Sequence, residues 1–216
     1  MPLKLYTYDI SPAVRPVTML CDIYKLPIEL IEVDLAAGEH LKPEYLKLNP
    51  LHSVPVLVDG DLVIHDSHTI LIYLASTYGN DDSLYPKDSK QRALINQKLF
   101  FHNSMLFWRL RFISKPICLE GHKGVTEKQL NDVEEGYALL EEFLTRNKYI
   151  ATNNLTIADI IAFPTVTGLA YISPPSTERY PKLNAWVNDL KRRSFHKNVN
   201  KADDEKYGRI LQKALE

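Results

Sequence analysis

The chain has 216 residues, 45% hydrophobic and 25% charged, with a formal net charge of −1 at pH 7. That length buries a full core in one domain or two modest ones, and a charge so near zero argues against a nucleic-acid partner. No apolar run is long enough to cross a membrane, and Cys21 and Cys118 stand in no metal-ligand spacing, which suits reduced, buried thiols better than a disulfide framework.

Leu3, Leu5 and Thr7 alternate with Lys4, Tyr6 and Tyr8, the period of a strand. After Pro12, the residues Val14, Val17, Cys21 and Tyr24 recur at helical spacing. IELIEV (28–33) reads as a second strand and KPEYLKLN (42–49) as a short helix. In VPVLVDGDLVIHD (54–66) two β-rich runs flank Asp59-Gly60, a pair suited to a tight hairpin turn. SHTILIYLASTYG (67–79) reads as a helix ended by Gly79. The order β-α-β-α-β-β-α implies a small mixed sheet with helices packed on it. From SLYPKDSKQRA onward the pattern is helical, with segments near 89–119, 126–146, 157–171, 180–193 and 203–215. The expected organisation is an α/β domain over 1–80, a linker at 81–87 and an all-α domain over 88–216. The opening MPLKLYTYDI lacks the basic and then apolar pattern of a secretory leader, so the expected location is the cytoplasm.

Three stretches carry polar groups suited to a ligand. Ser11-Pro12 is a helix start: Ser caps free N–H groups and Pro suits the first helical position. The same hydroxyl, beside the electropositive end of a helix, is also placed to donate to a bound anion such as a thiolate. In SVPVLV (53–58) the proline marks a sheet edge, a bulge or a cis peptide bond. Val54 there can offer its N–H and C=O to an extended peptide, as an added strand does. Asp66-Ser67 opens a second helix, where Ser67 suits a carboxylate and Asp66 an ammonium. His40, His52, His65 and His68 do not have metalloprotease spacing and no Cys or Glu cluster joins them, so no metal is expected. Thr156 and Asp159 fit a capping box, a folding device.

These stretches together resemble the cytosolic glutathione S-transferases of the insect delta/epsilon type, closest to the epsilon class. The likeness rests on SPAVR (11–15), GEHLKPEYLKLNP (38–50), NPLHSVPVLVDGD (49–61), DSHTILIYLASTYGNDDSLYPKD (66–88) and LTIADI (155–160), and it covers essentially the whole chain. It implies a thioredoxin-like N-terminal domain joined to an all-helical one, with glutathione as co-substrate and no tightly bound cofactor. By the resemblance, Ser11 donates to the glutathione thiolate, in preference to Tyr6, while Val54 beside a cis-Pro55 pairs with the cysteinyl backbone. Asp66 and Ser67 would hold the γ-glutamyl end and His40 and His52 the glycine carboxylate, with His68 and Arg111 also among the glutathione residues. Phe107, Leu110, Arg111 and Ser114 would line the pocket for a hydrophobic electrophile, Phe107 and Leu110 also fitting a helical core. The resemblance further implies a homodimer acting in detoxification of xenobiotics, insecticides among them, with no nucleic acid and no membrane. Glutathione-dependent isomerisation or peroxide reduction, or non-catalytic carriage of a steroid or pigment, are the alternatives on this fold. Three positions depart from the family pattern: Asp66 replaces the usual glutamate, Leu51 a common glutamine, and Trp108 is bulky beside the pocket.

Overall fold

The computed structural model describes residues 2–215. Strand β1 (Leu3–Thr7) runs parallel to β2 (Ile28–Glu32) and antiparallel to β3 (Val56–Asp59), and β4 (Leu62–His65) pairs antiparallel with β3. The sheet order is therefore β2-β1-β3-β4. Alternation in β1 sorts its two faces. Leu3, Leu5 and Thr7 are buried, with both leucines packed into the cluster that holds Val14, Val17, Leu20 and Cys21 of the first helical segment. Tyr6 faces the other way, edge-on to Tyr45, beside Val33 and Val56. Helix α1 (Arg15–Tyr24) links β1 to β2, α2 (Pro43–Leu48) carries Tyr45, and α3 (Ser67–Thr77) packs on α1. Fully burying a side chain such as Leu20, Ile70 or Leu74 stabilises the fold by about 1.5–3 kcal/mol each.

The second half is helical: α4 (Ser89–Phe101), α5 (Phe107–Glu120), α6 (Glu127–Arg146), α7 (Ile157–Ala170), α8 (Pro181–Arg192) and α9 (Lys201–Leu215). The single helix expected over 89–119 is α4 and α5, joined without a break by a π-helical turn at His102–Leu106. A second such turn, His196–Asn200, leads into α9. Helix α7 is the axis of this half, with every residue from Ile157 to Leu169 buried. It packs against α1 and α3 as well as α4, α5, α8 and α9, so one hydrophobic core crosses both halves. The Thr156–Asp159 capping box forms as expected, and buried Asp159 also accepts from Ile150 N–H and Trp186 Nε1–H, both at 3.0 Å.

Three local expectations are corrected. Helix α1 starts at Arg15, with Pro16 rather than Pro12 in its first turn, because residues 12–14 form a turn in which Ser11 C=O accepts from Val14 and Arg15 N–H. The hairpin loop is Gly60-Asp61: Asp59 still pairs with Leu62, and Gly60 supplies the positive φ of 62°. Gly79 does not end α3 through a left-handed backbone. The helix closes at Thr77, and Gly79 is required for close approach, since a Cβ there would lie 2.6 Å from Ala75 O.

Candidate active site

Ser11 follows β1 and sits one turn before α1. Its N–H donates to Tyr8 O at 2.8 Å, and its Oγ accepts from Ala13 N–H at 3.3 Å. The hydroxyl hydrogen has no acceptor among the described residues, so Ser11 is half-buried with one hydrogen bond still to give. Ser11 does not cap α1, whose cap position is Val14 with no side-chain hydrogen bond; its oxygen accepts within the preceding turn instead. Tyr6 is committed to packing against Tyr45 on the opposite face of the sheet.

The Val54–Pro55 bond is cis. Strand β3 begins only at Val56, so the backbone of half-buried Val54 lies outside the sheet ladder. Asn49 Nδ2 and the Tyr45 hydroxyl both donate to Ser53 O, at 2.8 and 2.7 Å, and hold the approach to this peptide.

Asp66 caps α3. Its Oδ1 accepts from His68 N–H at 3.0 Å and Thr69 N–H at 3.1 Å, while Oδ2 has no partner among the described residues. Its backbone is in a strained region, φ 77° and ψ 119°, and strain of this kind persists only where the surrounding structure enforces it. Burial alone would raise the Asp66 carboxyl, but the His68 ring and the N–H groups of Thr69 and His68 outweigh it and hold the carboxyl below its ordinary range. Ser67 beside it is buried, and its hydroxyl has no partner among the described residues. Helix α3 packs on α1.

His40, in a short 3-10 turn at Glu39–Leu41, lies near His52, the ring centres 6.3 Å apart. His40 Nδ1 is buried without a partner. Burial, then the charges of His52 and Lys115, push its pKa down. Lys115, on α5, is a residue the sequence reading missed. Its spacing of four from Arg111, which puts both on one helix face, was the available signal.

The structure separates two of the expected residues from this surface. Leu110 is core: it is 1% exposed and its methyl groups crowd Gly168 of α7. His68 is turned inward, its Nε2 2.7 Å from His102 Nδ1. Phe107, Arg111 and Ser114 remain on accessible or half-buried parts of α5, with Arg111 stacked 5.8 Å over the Trp108 ring. His65 is half-buried at the end of β4, and no group of three or more His, Cys, Asp or Glu suited to a metal occurs among the described residues.

A mixed four-stranded sheet with helices packed on it, backed by an all-helical domain, defines a two-domain protein of the thioredoxin-like class. Residues 5–82 match the family model of the glutathione S-transferase N-terminal domain, and residues 78–193 that of the C-terminal domain. Glutathione S-transferase 1 of Manduca sexta is 40% identical over 93% of both chains. An epsilon-class glutathione S-transferase from the housefly, Musca domestica, superposes with a TM-score of 0.95 at 39% identity over 98% of both chains. A glutathione transferase homologue from Drosophila mojavensis, solved with bound glutathione, gives 0.95 at 36% identity over 99% of this chain and 97% of that one. The chain belongs to the glutathione S-transferase family, as an insect-type member near the epsilon class.

Proposed function

We propose that Ser11 donates its free hydroxyl hydrogen to the glutathione thiolate, which then attacks a hydrophobic electrophile held over α5. The observation that carries this is the unspent Ser11 hydroxyl in the turn that leads into α1. Asp66 Oδ2 takes the α-ammonium of the γ-glutamyl end, Ser67 its carboxylate, and Val54 the cysteinyl backbone. His40 and His52, with Lys115 close by, take the glycine carboxylate, which the unpartnered His40 Nδ1 favours.

A free thiol with a pKa of about 8.5 is only ~3% ionised at pH 7. Lowering that pKa by about two units stabilises the anion by ~2.7 kcal/mol and gives mostly thiolate. Ionisation therefore contributes at most roughly 30-fold, partly offset because a less basic thiolate is a weaker nucleophile. Further acceleration comes from positioning the electrophile, so Phe107, Arg111, Ser114 and neighbouring Trp108 on α5 set substrate choice.

The same reading makes residues 1–80 the glutathione domain, 81–87 the linker and 88–216 the electrophile domain, in a cytoplasmic enzyme of xenobiotic detoxification. No helix among the described residues is long and apolar enough to cross a membrane. It also makes the protein a homodimer. Phe100 on α4 is 70% exposed, and Leu62 and Val63 on the edge strand β4 are 40% exposed, surfaces that a second copy would cover. Sedimentation at twice the 24.8 kDa chain mass is expected.

The deciding test is turnover of 1-chloro-2,4-dinitrobenzene with glutathione, alongside calorimetric glutathione binding. Binding with turnover is expected. Binding without turnover of this or other electrophiles would make the protein a carrier, and absence of binding would overturn the assigned site.

A further inference from the structure

A line of four polar side chains runs from Asp66 into the centre of the helical half. His68 Nδ1 is 3.3 Å from Asp66 Oδ1, His68 Nε2 is 2.7 Å from His102 Nδ1, and His102 Nε2 is 2.8 Å from Thr165 Oγ1. Both rings are buried, His68 at 8% exposure and His102 at 1%. His102 opens the π-helical turn between α4 and α5, and Thr165 lies on α7. Packing alone does not call for a histidine here, since an apolar ring fills such a space without the cost of desolvating two nitrogens.

The hydrogens along this line have one consistent direction. The negative charge of Asp66, 3.3 Å from His68 Nδ1, favours a hydrogen on that nitrogen over a bare lone pair. That nitrogen is out of line for a good hydrogen bond and has no other partner among the described residues, so the charge of Asp66 orients it. In a neutral ring Nε2 of His68 must then accept, which requires the hydrogen of His102 to be on Nδ1. Nε2 of His102 accepts in turn from the Thr165 hydroxyl. Burial, reinforced by His68, keeps the His102 pKa well below its ordinary value, so that ring does not carry hydrogen on both nitrogens.

We infer that His102 is a positioning residue: held as its Nδ1–H tautomer by Thr165, it fixes His68 and thereby presents Asp66 to the α-ammonium of glutathione. This rests on the proposed glutathione site at Asp66. The tautomer is testable in the free protein through the imidazole nitrogen shifts in long-range ¹H–¹⁵N spectra. The expected result for His102 is a protonated Nδ1 and a bare Nε2, the reverse of the form free histidine favours, and Thr165→Val should release that preference. In kinetics, His102→Phe should raise KM for glutathione by roughly tenfold, leaving KM for the electrophile and kcat at saturating glutathione unchanged. Thr165→Val should move the glutathione KM in the same direction, with Thr165→Ser restoring it. An Nε2–H His102 in a protein that binds glutathione would overturn the inference alone. So would a folded Thr165→Val protein with an unchanged glutathione KM. The expected tautomer without any glutathione binding would overturn the proposed site, and this role for His102 with it.

Discussion

Arg15 and Asp204, 189 residues apart in sequence, form an ion pair closed to solvent that ties the first residue of α1 to α9. The guanidinium also donates to Asn200 Oδ1 and Pro164 O, both at 3.2 Å, and Asp204 accepts from the Thr167 and Tyr171 hydroxyls. Since Arg15 N–H donates to Ser11 C=O at 3.1 Å, this pair also anchors the turn that carries Ser11. Removing one partner strands a buried charge. Asp204→Ala should therefore cost about 3–5 kcal/mol in denaturant unfolding, and Arg15→Met combined with Asp204→Leu should cost less than the sum of its parts. A loss within ~1 kcal/mol would show that water reaches the pair.

Ser11→Ala should leave the unfolding midpoint unchanged while moving the apparent pKa of kcat/KM toward the free-thiol value of about 8.5. Turnover near pH 7 should fall by up to roughly 30-fold. Initial rates at saturating electrophile between about pH 5.5 and 8.5 make the comparison, and an unaltered profile would remove Ser11 from the mechanism.

Asp66→Asn keeps a good cap for α3 and tolerates the positive φ, but removes the charge offered to the ligand ammonium. Its expected effect is a rise of roughly 10- to 100-fold in the glutathione Kd, measured by calorimetry, with little loss of stability. A normal Kd would place the ammonium elsewhere.

Burial raises the Asp159 carboxyl from 3.8 to about 6, against the pull of its four donors from Ile150, Thr156 and Trp186. Between those values the folded protein keeps a proton that the unfolded chain has released. This group's contribution is therefore complete below about pH 4 and is lost as pH rises through about 6. Unfolding free energies of the wild type minus those of Asp159→Ala should fall across that window by roughly 1 kcal/mol per pH unit. A flat difference would mean that the hydrogen bonds keep the carboxylate ionised.

Much of this molecule was legible in the chain itself. The two-residue alternation of β1, the helical recurrence of Val14, Val17, Cys21 and Tyr24, and the capping box at Thr156 are local patterns, and each element forms where its pattern lies. Errors arose at element boundaries, which depend on which particular backbone groups pair. Asp59 remains in β3 because Leu62 pairs with it across the hairpin, and Pro12 lies in a turn closed by Ser11 C=O before α1 begins at Arg15.

The sequence by itself determined the elements, their order and the cap of α3, because strand and helix periods and capping chemistry act over a few neighbouring residues. Only the tertiary structure decided what the histidines do. His40 and His52 came together from separate turns, whereas His68 was drawn from the ligand surface to His102. It also decided that Leu110 belongs to the core rather than to a pocket wall. A π-helical turn shifts every later side chain of its helix around the axis, and helical spacing counted from the sequence does not register that shift. Pairings such as His68 with His102, or Arg15 with Asp204, are selected by the cost of leaving buried polar groups unsatisfied, and that cost exists only once the whole core has closed.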